Sequence, residues 1–140
     1  ALVDGYHSDM TRTFFVGEPP SELERLFRVV SSAQLAGLEA VRAGAEGVAV
    51  DAACRRVFEA EGVIDLYPHG TGHGVGLDIH EEPFIGSRCT TSLLAGEVVT
   101  VEPGLYRGGI GGIRIEDLVL VTPDGCQILT QYPKELRCLP

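Results

Sequence analysis

Between His69 and Gly76 every second residue is glycine, in the stretch "HGTGHGVGLDIHEEP". Two residues is the side-chain period of an extended strand. If residues 69 to 77 are extended, His69, Thr71, His73, Val75 and Leu77 face one way and bare backbone faces the other. Glycine weakens a strand and marks a place where another backbone or a ligand approaches closely. The chain must therefore fold something tightly against this run while the opposite face carries imidazoles. Three of its four histidines lie here, His69, His73 and His80. The ordinary alternative is a glycine-rich loop with surface histidines. The concentration of imidazoles on this glycine pattern favours a functional site.

The stretch matches no common catalytic or phosphate motif. His69 is followed by Gly, not by the Glu of a zinc-binding HExxH helix, and no Lys-Ser/Thr closes a phosphate loop. GxGxxG and GxSxG are both absent.

At 140 residues the chain is long enough for one domain with a real core. It has no apolar run near the ~20 residues of a membrane span and no signal-peptide pattern. Its opening, "ALVDGYHSD", lacks an initiator Met and reads as the interior of a longer protein, so a fragment or processed chain is expected. A net charge of −9 argues against nucleic acid, which needs clustered Lys and Arg. The acidic excess is either a solvated surface or a set of carboxylates around a cation. Cys54, Cys89, Cys126 and Cys138 form no CxxC pair, so a structural zinc site is not expected. Reduced thiols in a cytoplasmic protein are the simplest account.

"TRTFFVG" reads as a strand. A helix follows from "PPSELERLF", with Ser21 and Glu24 in a capping-box pattern. Leu23, Leu26, Phe27, Val30, Leu38 and Val41 keep helical spacing, and Gly44 can end that helix. A second helix fits Val48 to Glu61, stopped by Gly62. Strands are expected at Val98 to Val101 and Ile113 to Val121, then a "TPDG" turn and a final short strand. The order predicts an α+β fold, with helices on one face of a largely antiparallel sheet.

Carboxylates stand at the ends of these strands or inside them. Asp9 precedes one, and Glu102 ends another, ahead of Pro103-Gly104. Glu116 and Asp117 interrupt the apolar "IRIEDLVLV", where a buried charge is costly unless paired or coordinated. Alternation puts Arg114 and Glu116 on one face and Ile115 and Asp117 on the other. A salt bridge from Glu116 to Arg114 or Arg12 is the structural alternative. Carboxylates with an imidazole form an oxygen-rich site suited to Mn²⁺, Fe²⁺, Co²⁺ or Zn²⁺.

Taken together, "GYHSDMTRTF", "HGTGHGVGLDIHEEP", "VEPGLY" and "GIRIEDLVLVT" resemble, in that order, the pita-bread metallopeptidases. "EPGLY" and "RIED" are similar to the prolidase and aminopeptidase P branch. The resemblance implies a dinuclear site. In it Asp9 and Glu116 match the bridging carboxylates, His73 the imidazole ligand and Glu102 a terminal glutamate on the same ion. His80 matches a histidine that contacts substrate and helps move protons. His69 matches one lining the substrate pocket, and Arg114 is placed on the substrate side.

The implied activity is metal-dependent exopeptidase hydrolysis of the bond before proline, through a metal-bridging hydroxide. The implied cofactors are two divalent ions, Mn or Co, with Zn or Fe as alternatives. The family has a further aspartate ligand at a spacing that falls ahead of Ala1. Asp4 lies too close to Asp9 to replace it. Residues 1–140 therefore read as a single partial domain, the carboxyl-terminal part of a pita-bread catalytic domain. One ion at most is expected in this chain, with little activity alone. Its expected partners are a peptide substrate and the missing amino-terminal part, with no nucleic acid or membrane, and the intact enzyme as a homodimer. The rivals are a non-catalytic pita-bread binding protein or inactive fragment, and a metal-independent relative such as creatinase. Creatinase-type proteins lack most of the metal carboxylates.

Overall fold

The computed structural model describes residues 1–140. It opens with a hairpin of β1 (Leu2–Val3) and β2 (Tyr6–His7), turned at Asp4 and Gly5, both at positive φ. Asp-Gly is a preferred pair for that turn. After β3 (Phe14–Val16) come α1 (Ser21–Ala40) and α2 (Gly47–Ala60). The six apolar positions that predicted α1 and its extension are all buried. The ends of the helix differ from expectation. Ser21 is its first residue and not its cap. Pro20 holds the cap position, and no side chain caps the helix. Glu24 instead takes a hydrogen bond from Arg28 at 2.6 Å. The helix stops at Ala40, well before Gly44, because Val41 turns extended and enters the core.

The strands that follow are β4 (Gly72–Gly74), β5 (Glu81–Ile85), β6 (Val98–Val101), β7 (Gly104–Arg107), β8 (Gly111–Arg114), β9 (Asp117–Val121), β10 (Cys126–Ile128) and β11 (Arg137–Leu139). Five of them form an antiparallel sheet in the order β10-β9-β6-β4-β5. The strand expected to be last, β10, is followed by β11, which pairs in parallel with β3. Val99, Val101, Val119 and Val121 of the sheet pack with Leu38 of α1 and Val50 of α2. The helices therefore cover that face, and the alternate residues Thr100, Glu102 and Glu116 belong to the other.

One expected strand, Ile113 to Val121, is two. β8 pairs with β7, whereas β9 pairs with β6, and the break falls at Ile115 and Glu116. The opposite strand breaks at Glu102 and Pro103, where proline has no N–H to give. Register is the same on both sides, Val101 against Asp117 and Gly104 against Arg114, so Glu102 lies opposite Glu116. Their backbones bond outward instead. The Glu102 N–H donates to Thr71 O at 2.8 Å and the Glu116 N–H to Thr11 O at 3.1 Å.

The glycine run is extended only over β4, where the register shifts between Gly72 and Gly74. Leu77 leaves the expected face and is exposed. The close approach is real. A Cβ on Gly72 would lie 2.0 Å from Thr100 O, and one on Gly74 2.4 Å from Glu82 O. Helix packing shows the same economy at Gly37, where a Cβ would meet Cys54 Sγ at 2.7 Å and Val101 Cγ1 at 2.9 Å. Gly37→Ala gains about 1 kcal/mol of helix propensity against an overpacking cost of about 1–3 kcal/mol. A net loss of about 1 kcal/mol is expected in urea unfolding. A stabilised variant would show that α1 can back away from the sheet.

Candidate metal centre

Four segments meet at the paired breaks. β4 brings His73, the end of β6 brings Glu102, the β8–β9 junction brings Glu116, and the chain before β3 brings Asp9. Ligand atoms of His73, Glu102 and Glu116 lie within 4.8 Å of one another, as do those of Asp9, His73 and His80. His73 belongs to both groups, so the four residues expected to hold ions converge around one imidazole.

Its orientation is fixed from behind. His73 Nδ1 lies 3.0 Å from its neighbour's carbonyl, Gly74 O. A carbonyl only accepts, so Nδ1 carries the hydrogen and a neutral ring presents the Nε2 lone pair forward. Nε2 is 3.0 Å from Glu102 Oε1 and 3.9 Å from Asp9 Oδ2. Acceptors facing acceptors need a proton or a cation between them. Burial works against the charged ring. The Glu102 hydrogen bond, the Gly74 carbonyl and the charges of Glu102 and Asp9 outweigh it, and the net shift is upward. Burial likewise raises Glu102, but His73, Thr100 and Arg114 bring its carboxyl below the ordinary range.

Glu116 is 1% exposed. Burial pushes its carboxyl up to about 7; the Thr11 hydrogen bond lowers it, the charges of Glu102 and Asp9 raise it, and Arg114 lowers it. Thr11 Oγ1 donates to Oε2, while Oε1 is buried without any partner. Such an orphaned oxygen calls for an explanation, and an ion is one. Three carboxylates and an imidazole, one oxygen unsatisfied and one nitrogen lone pair turned inward, fit a divalent cation.

The alternative salt bridges are poor. Arg114 Nε stays 4.0 Å from Glu116 Oε2 and donates to Thr11 Oγ1 at 2.9 Å. Arg12 pairs instead with Asp117 at 2.7 Å, on the helix side of the sheet. Asp117 also accepts from Gln34 and Lys134, at 2.9 and 2.7 Å.

A cleft of about 600 Å³ opens beside the ligands, lined by His69, His73, Phe84, Ile85, Glu102 and Arg114. His69 Nδ1 lies 2.7 Å from Gly70 O, so by the same reasoning it carries the hydrogen, and Nε2 accepts from Tyr106 Oη at 3.1 Å. His80 is exposed, its ring 4.3 Å from that of His73, centroid to centroid. Sequence reasoning missed Thr11, Thr100 and Tyr106. Thr11 was within reach, two residues from Asp9; its hydroxyl donates to the Glu116 carboxylate, while that of Thr13 bonds the Arg114 backbone.

The sequence matches the model of metallopeptidase family M24 over residues 1–123. It is 43% identical over 136 residues to the probable dipeptidase PepE of Mycobacterium tuberculosis, covering 97% of this chain and 36% of that protein. It is 41% identical over 136 residues to the Xaa-Pro dipeptidase of Pyrococcus furiosus, covering 97% and 39%. The Xaa-Pro dipeptidase structure from Bacillus anthracis superposes with a TM-score of 0.95 at 47% identity, covering 96% of this chain and 38% of that one. The chain thus spans well under half the length of these relatives.

Proposed function

The chain belongs to metallopeptidase family M24 and has its pita-bread fold, and from that premise we propose that it carries most of the metal site of a peptidase cleaving the bond before proline. The observation that carries the reading is the ring of acceptors around His73 Nε2, with Glu102 at 3.0 Å and the unpartnered Oε1 of Glu116 in the same cluster. Asp9, His73, Glu102 and Glu116 would hold the ions, Asp9 and Glu116 as the shared carboxylates. Divalent ions held there would acidify a water and polarise the scissile carbonyl. The remaining work falls to the chain's own groups. His80, exposed beside the His73 ring, takes and returns the proton. His69 and Arg114 line the cleft and orient the peptide. Phe84 and Ile85 supply an apolar wall. Preference for proline is supported by the names of the Pyrococcus and Bacillus relatives.

The test is a Mn²⁺ or Co²⁺ titration followed by paired assays on a Xaa-Pro dipeptide and its Xaa-Ala counterpart, using the protein that contains this chain. Ion-dependent cleavage of the proline substrate is expected, and ion binding without cleavage of either would overturn the enzyme in favour of a binding protein. Residues 1–140 in isolation are proposed to be a partial domain. They should bind one ion well and cleave at least about a hundredfold more slowly than the intact protein, since effective catalysis needs every group in place. Two tight ions with full turnover would contradict that.

A further inference from the structure

Behind the cleft, α2 contributes to a polar cluster whose side chains meet no side chain of the proposed ion ligands but reach the cleft through His69. Asp51 is fully buried, and its two oxygens are both engaged. Oδ2 takes a hydrogen bond from Arg55 Nε at 2.5 Å and Oδ1 one from Thr71 Oγ1 at 2.8 Å. Tyr67 Oη lies 2.7 Å from the same Thr71 hydroxyl. The Arg55 guanidinium sits 4.7 Å above the Tyr67 ring, and its Nη2 donates to His69 O at 2.9 Å. Tyr67 in turn meets the His69 ring edge to face, with centroids 5.0 Å apart.

We propose that Asp51 and Arg55 are positioning residues for His69. The buried carboxylate aims the guanidinium, which holds the His69 carbonyl and the Tyr67 ring at once, so that the His69 imidazole faces Tyr106 and the cleft. The inference rests on the peptidase reading for its catalytic consequence, though not for its geometry. A planar fork with fixed N–H directions makes the three contacts, and an ammonium cannot reproduce them. Two residues in i, i+4 spacing on α2, Asp51 and Arg55, thus set a side chain across the loop from Tyr67 to Gly70. The loop is anchored at its ends, by Tyr67 in the core against Phe58 and by the Thr71 N–H on Ile85 O, and between them the Arg55 guanidinium holds the His69 carbonyl.

The clamp also selects a tautomer. With the loop held, His69 Nδ1–H points at Gly70 O and Nε2 accepts from Tyr106. Released, the ring would exchange between the two neutral forms. A buried cluster that served only stability would leave this unchanged once the protein was folded.

The experiment uses Arg55→Gln and the milder Arg55→Lys in the intact protein, each first checked for cooperative thermal unfolding. Long-range ¹H–¹⁵N spectra of the ion-free protein read the His69 tautomer directly. Wild type is expected in the Nδ1–H form and both variants as mixtures. In the Mn²⁺-loaded enzyme, KM for a Xaa-Pro dipeptide should rise about tenfold with kcat within about twofold, and the Mn²⁺ isotherm should not move. Adding His69→Ala to either variant should cost far less than it does in wild type, because the two changes disrupt one arrangement. An unchanged His69 spectrum in the folded variants, or effects of Arg55 and His69 substitutions that simply add, would overturn the inference. If Arg55→Gln fails to fold, Arg55→Lys decides by the same readouts. Should wild type not cleave Xaa-Pro at all, the peptidase reading fails while the His69 spectrum still decides the clamp.

Discussion

Replacing Glu116 by glutamine should make the ion-free protein more stable at pH 8, by about 2–3 kcal/mol, and at the same time cripple its ion binding. The carboxyl sits at about 7 in the folded chain against an ordinary 4.5. Between those values the folded state keeps a proton that the unfolded state has lost, so stability falls as pH rises, and above pH 7 the loss is complete. His73 pushes the same way, since its raised value gives a contribution present below 6.5 and lost as pH rises through the folded value. Glutamine is neutral at every pH and removes the Glu116 part. It can still accept from Thr11, and no buried charge remains. An ion narrows that gap and then reverses the order: at about a thousandfold above its Kd it adds about 4.1 kcal/mol to the wild type, and the variant, short of a shared ligand, gains less. Melting curves at pH 5.5 and 8, with and without Mn²⁺, separate the effects. If Glu116→Gln is the less stable protein at pH 8 without ions, the carboxylate is held by partners other than an ion and the centre is misassigned.

That trade also shows why part of this site could be read in one dimension and part could not. Glu102 and Glu116 stand out by type, as charged residues at the end of or inside apolar runs, whereas the choice of Asp9, and of His73 among the histidines, comes from the resemblance. Alternation along "IRIED" places Glu116 and Asp117 on opposite faces, and they indeed meet different partners, Thr11 and Gln34. The break inside that run was not legible. It depends on Glu102-Pro103 lying across from it, which is a fact about register between strands. The glycine run reads as a place of close approach, as Gly72 and Gly74 are; the extended conformation considered for residues 69 to 77 is kept only over β4, where the register with β5 shifts. Ser21 has the composition of a cap but follows Pro20, whose fixed φ and extended ψ already serve as the boundary. Asp51 and Arg55 are invisible for another reason: on the sequence they are an ordinary helical ion pair, and only folding brings Thr71 and His69 to them.

His73→Ala and His80→Ala should fail in different ways, although the two rings are neighbours. His73 is buried, its Nδ1 hydrogen committed to Gly74 O, its Nε2 left for an ion at 3.0 Å from Glu102. A ligand imidazole needs such a partner behind it to fix ring and tautomer. Removing it should weaken the first ion by at least about a hundredfold and abolish turnover with it. His80 is exposed, and no hydrogen bond fixes either of its nitrogens, which suits a group that must gain and release a proton. Its loss should leave the Mn²⁺ isotherm in place and lower kcat by about 10²–10⁴-fold. The competing arrangement is explicit in the geometry, because Asp9, His73 and His80 also lie within 4.8 Å and offer a position in which His80 is a ligand. Calorimetric titration of both variants, with kcat at saturating ion, discriminates between the two. If His80→Ala loses ion affinity as deeply as His73→Ala, His80 belongs to the ligand set and the proton must move through another group.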